Sequence, residues 1–168
     1  MKKILITSTI VMSGLFSSQT VDIKPNLLGV SLGDNLSEWK SKLLFEGSKG
    51  SYSKYHFTKS SYTSIFGYPI EDIAVIFDSR QQVTAIFVVL KDFPYTGWNA
   101  TEFTDIKENL EQIFGRVTDF YKVNDSGNVD WYWDGSRNYL SCSYKFKGSF
   151  SSSNVEIGLV TKSFMSGF

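Results

Sequence analysis

The sequence predicts an α+β fold of two tandem helix-plus-four-strand modules, with antiparallel sheets and the helices packed on one face. Three observations carry this prediction. A capped amphipathic helix signal occurs twice, beginning at Asn35 and at Asn99. Each is followed by about four segments with strand periodicity. The 168 residues, 42% hydrophobic and 16% aromatic, suffice to bury a core. With 17 basic and 17 acidic residues, one His, one Cys and three Met, the composition argues against disorder, a disulfide framework and most metal sites.

The N-terminus reads as an export signal spanning residues 1–19. Lys2 and Lys3 precede an uncharged stretch over residues 4–16, and the small polar run Ser17-Ser18-Gln19 follows, so cleavage is expected between residues 17 and 20. That stretch is too short to cross a hydrocarbon core of about 30 Å, and no cysteine near the cut offers a lipid anchor. Removing it leaves 15 basic against 17 acidic residues, a net charge of −2. The expected location is periplasmic or secreted, without an integral membrane segment.

The first module is expected over residues 28–92. Asn35 caps a helix and Glu38 reaches back to it, with Leu36, Trp39, Leu43 and Leu44 on one apolar face and Gly47 as the stop. Residues 51–57 and 61–66 read as aromatic-rich strands. Ile73, Val75 and Phe77 alternate, and residues 83–90 are a nearly continuous apolar run, joined to them by a hairpin at residues 78–82. The second module is expected over residues 98–162. Asn99-Ala100-Thr101-Glu102-Phe103 repeats the Asn-x-Ser/Thr-Glu-aromatic pattern of Asn35 to Trp39, and Phe103, Ile106, Leu110, Ile113 and Phe114 form one face before Gly115. Strands follow at 117–123, 129–133, 139–146 and 155–161. Because neither helix is stable alone, each must lay its apolar face on a sheet.

The entry Leu28-Gly29-Val30-Ser31-Leu32-Gly33, the following helix at residues 35–44 and the later helix ending at Gly115 resemble two groups of small exported bacterial α+β proteins. These are the outer-membrane assembly lipoproteins of the SmpA/OmlA type and the tandem helix-plus-four-strand β-lactamase inhibitor proteins. The resemblance covers nearly the whole mature chain in element order and implies a protein-binding role. The chain departs from both: the lipoproteins carry a lipidated cysteine and the inhibitors resemble disulfide-stapled modules, whereas Cys142 is the only cysteine here. No partner-contact residue therefore carries over.

Few side chains suggest chemistry. His56 lies among Tyr52, Tyr55 and Phe57 with no local nucleophile or carboxylate, so it reads as an ordinary strand histidine. Cys142 shares a strand face with Leu140, Tyr144 and Phe146, a setting for an inert core thiol. Residues 124–130 hold several oxygen-bearing side chains but lack the distant glutamate of a calcium loop, and read as a hairpin turn. Glu102, Asp105, Glu108 and Glu111 on the second helix, against Lys107, disfavour nucleic acid. No catalytic residue, metal ligand or cofactor site is assigned.

The informative cluster is Asp130-Trp131-Tyr132-Trp133-Asp134. Alternation sends Trp131 and Trp133 to one face and Tyr132 to the other. With the tryptophans under a helix, Tyr132 is an exposed contact; reversed, the tryptophans form an exposed platform. Tyr95 and Trp98, between the halves, complete the candidate binding residues. The expected function is a non-enzymatic binding module for another envelope or extracellular protein, of inhibitor or assembly type. The alternative is a small glycan-binding or glycan-active protein that uses Trp131 and Trp133.

Overall fold

The computed structural model describes residues 20–23, 25–58, 62–90, 101–123, 128–145 and 154–167. Residues 1–19, Tyr95, Trp98 and the Asn99 cap lie outside the described residues, as does the turn at 124–127. The chain is α+β and mostly antiparallel sheet.

A short helix α1 (Thr20–Ile23) leads into a two-stranded hairpin of β1 (Asn26–Leu27) and β2 (Val30–Ser31). One helical turn, α2 (Leu36–Trp39), follows. The main sheet contains β3 (Leu43–Lys49), β4 (Tyr52–Phe57), β6 (Tyr68–Phe77) and β7 (Val83–Leu90), then β8 (Asp119–Val123), β9 (Asn128–Asp134), β10 (Asn138–Lys145) and β11 (Asn154–Thr161). Its order is β3-β4-β6-β7-β11-β10-β9-β8, and the short β5 (Ser64–Ile65) pairs with β6. Each group of four strands is a meander running inward from one edge, and the two meet where β7 pairs with β11. Helix α3 (Thr101–Phe114) joins the groups, and α4 (Lys162–Met165) ends the described chain.

Trp131 and Trp133 are buried at 7% and 0% exposure, under α3. Phe103 of α3 stacks on Trp131 with centroids 4.2 Å apart and leans on Tyr144 at 5.3 Å. Trp133 Nε1–H donates to the Gly115 carbonyl at 2.7 Å, so its polar tip occupies an acceptor just beyond the helix end. Gly115 takes a φ of 84°, the left-handed stop the sequence indicated. Phe103, Ile106, Leu110 and Phe114 are fully buried. Ile113, expected on the same face, is instead 40% exposed, because its position rotates it past the edge of the buried stripe. Cys142 is fully buried between strands, and desolvation pushes its thiol pKa far up.

The first half departs further from expectation. The capping box forms as read, with Asn35 Oδ1 accepting from Ser37 N at 3.0 Å and Glu38 Oε1 accepting from Asn35 N at 3.1 Å. The helix nevertheless stops after one turn and passes through a 3₁₀ turn at Lys40–Lys42 into β3. Leu43 and Leu44 are thus strand residues, and Gly47 sits beside a β-bulge within β3 rather than ending a helix. A ten-residue helix is marginal in water, and pairing Leu43, Leu44 and Phe45 with Phe57, His56 and Tyr55 satisfies the same backbone while packing aromatic rings. Trp39 still reaches the core edge-on to Phe57 at 5.8 Å. The segment expected as a strand at 61–66 contributes only the two residues of β5 among its described positions.

Trp133→Ala removes the largest fully buried side chain and an indole donor together. Chemical denaturation should show a loss of about 3–5 kcal/mol, whereas Gln112→Ala, on the exposed side of α3, should stay within about 0.5 kcal/mol of wild type.

Candidate functional site

Burial of the tryptophans turns the other side chains of the same strands to the opposite face of the sheet. The registers define one row across all eight strands of the path: Asp119, Tyr132, Ser141, Gly158, Phe87, Ala74, His56 and Leu44. The row is low at its centre. Ser141, Gly158 and Ala74 are small, and the Phe87 ring lies against Gly158 so closely that a Cβ there would fall 3.1 Å from it. Beside the row, α4 clasps one margin: Phe164 packs edge-on to Tyr52 at 5.2 Å, near Phe87, over Ile76, Ala85 and Val160. Contrary to expectation, the helices therefore do not all lie on one face.

Towards β8 the row presents Tyr132, half-buried and tilted over Tyr139 with centroids 5.3 Å apart. Asp130 lies on the same side of β9 as Tyr132, near its hydroxyl. Burial first, then the neighbouring carboxylate charge, pushes the Tyr132 pKa above its usual value, and burial with Tyr132 does the same to Tyr139. The ring contact, with Tyr139 packed on the cluster under Phe164, restrains both rings before any ligand arrives. An anchor so held loses little side-chain entropy on binding.

Towards β3 the row ends in a charged cluster that the sequence reading missed. His56 Nδ1 lies 2.8 Å from Asp72 Oδ1 on β6, and His56 Nε2 contacts Glu46 Oε2 on β3. Glu46, the extra residue of the bulge, also pairs with Lys54 Nζ at 2.8 Å. The statement that His56 has no nearby carboxylate holds along the chain and fails across the sheet. Two carboxylates, one at each ring nitrogen, require both nitrogens to donate, which is the imidazolium form. Partial burial pulls the His56 pKa down, but the bonds to Glu46 and Asp72 outweigh it and leave the value raised above 6.5. Lys54 opposes them. With both nitrogens engaged, His56 is an ion-pair member rather than a general base. Leu44, Tyr62 and Ile70 join it in lining a cleft of about 590 Å³.

Of the sequence-derived binding residues, Tyr132 lies on this open face. Trp131 and Trp133 belong to the core and offer no platform, because β9 must bury its tryptophans to cover α3. Tyr95 and Trp98 lie outside the described residues. Among the described residues no group of three or more His, Cys, Asp or Glu side chains is placed to hold a metal ion, and no helix is long and apolar enough to cross a membrane. Neither a protein family, a curated protein nor a solved structure matches this chain.

His56 is the chain's single histidine, so its imidazole signals can be followed by NMR without ambiguity. Its midpoint should lie above 6.5 and move back towards that value in Glu46→Gln and Asp72→Asn. Because the folded pKa is raised, the stability His56 contributes is complete below pH 6.5 and lost as pH rises through the folded midpoint. A midpoint at or below 6.5 would refute the imidazolium assignment.

Proposed function

We propose that this chain is an exported, non-enzymatic module that grips another envelope or extracellular protein with the open face of its sheet, as an inhibitor or assembly factor does. The Tyr132–Tyr139 ring pair on the sheet face opposite α3, beside the part that α4 covers, carries this reading, since rigid aromatic rings bury much area at small entropic cost. The central row of Ser141, Gly158 and Ala74 supports it by leaving backbone and Phe87 within reach of a partner's side chain. In this reading the two meanders are tandem modules, residues 28–92 and 98–162, that pool their strands to make one surface wider than either half provides.

Export follows from residues 1–19. The secreted chain should begin between residues 18 and 20 by intact mass, and replacing both Lys2 and Lys3 with Glu should leave precursor in the cytoplasm. On the mature protein, Tyr132→Ala should weaken capture of the partner from envelope extract at least about tenfold, the loss of one interface anchor. Its melting temperature should stay within about 3 °C of wild type, and Gln112→Ala should capture normally. Equal capture by all three proteins would defeat the assignment of this face.

A further inference from the structure

We propose that the turn at residues 135–138 is a carboxylate-binding site whose ligand is the chain's own Val21-Asp22, so that any processing of the N-terminus must leave those two residues in place. In its processing part this rests on the export reading; the binding part stands without it.

The turn links β9 to β10 and presents successive backbone N–H groups to one point. Asp22 Oδ2 accepts from Ser136 N at 2.6 Å and from Ser136 Oγ at 2.7 Å. Asp22 Oδ1 accepts from Arg137 N at 3.0 Å and Asn138 N at 2.9 Å. Convergent amides of this kind form an anion-binding nest. The backbone is read as well, since Arg137 Nη2 donates to the Asp22 carbonyl at 3.3 Å and Asn138 Nδ2 to the Val21 carbonyl at 3.4 Å.

The site also selects the neighbouring side chain. Val21 is fully buried, and a Cβ on Gly135 would lie 2.6 Å from Val21 Cγ1 and 2.7 Å from Asp22 Oδ1, so glycine is what admits the ligand. Asp22 itself is 9% exposed. These contacts join residues more than 110 positions apart, and nothing in the covalent chain holds them together. A cleft of about 780 Å³, bordered by Arg137, Asn138 and Lys162, opens beside the carboxylate and gives small anions a path to the nest.

The first test uses the Asp22→Ala chain with acetate as the probe and chloride at equal ionic strength as the control. The substitution should lower the melting temperature by about 5 °C or more, and acetate should recover part of that loss in Asp22→Ala while leaving wild type unchanged relative to chloride. Melting equal to wild type, or an equal acetate effect on both proteins, overturns the proposal. Should Asp22→Ala fail to fold, Asp22→Asn keeps the side chain's size. Hydrogen exchange at the Ser136, Arg137 and Asn138 amides should then be faster than in wild type, and unchanged exchange overturns it. The second test is N-terminal sequencing of the exported protein, which should begin at or before Val21. A product beginning at Ile23 or later that melts like the longer chain also overturns it. A chain that stays uncleaved inside the cell removes the export reading alone and leaves the acetate comparison to judge the turn.

Discussion

The antiparallel pairing of β7 with β11 is the contact on which the other arrangements rest. Each strand is the last of its meander, so joining them places all eight strands of the path in one sheet and leaves β3 and β8 as edges. Val88 and Ile86, Ile157 and Leu159 are fully buried at this seam. The pairing is also far apart in sequence, and its loop-closure cost must be met before any cross-half contact forms. Burial of apolar strands on either side of the seam supplies the compensating free energy.

Once the sheet is single, its two faces have different tasks. One must cover α3, and aromatic side chains meet that demand with area and with a donor: the Trp133 indole reaches the Gly115 carbonyl while Trp131 stacks on Phe103. The period of two then leaves Tyr132 no choice but the other face. A surface anchor and two core anchors within three consecutive residues are thus one decision, made by which side α3 occupies.

The open face combines the apolar cluster under Phe164 with polar contacts at its two ends. At one end the Tyr132 and Tyr139 rings pack together beside Asp130; at the other, His56 ties the bulge of edge strand β3, through Glu46, to Asp72 on β6. Edge strands with exposed apolar residues tend to recruit further strands, and β3 exposes both Leu44 and Phe45. Its bulge and the charges around Glu46 interrupt that edge. The Asp22 nest ties the sheet's end to the start of the described chain in the same manner, with a carboxylate meeting amides that would otherwise face a cleft.

The sequence by itself determined the long strands other than β3, the α3 face through Phe103, Ile106 and Leu110, the Gly115 stop, the Asn35 capping box and the burial of Cys142. All of these depend on residues within a few positions of one another, where periodicity and cap chemistry act directly. The folded structure decided that Leu43 and Leu44 leave the helix for β3, because pairing with β4 across the turn at Gly50 and Ser51, backed by the sheet beyond β4, outcompetes a short helix. It also decided which face of β9 is core, and it brought Glu46 and Asp72 to His56 and Asp22 to the 135–138 turn. Ion pairs and nests between distant segments leave no periodic trace, since their partners are set by strand register and strand order rather than by spacing along the chain.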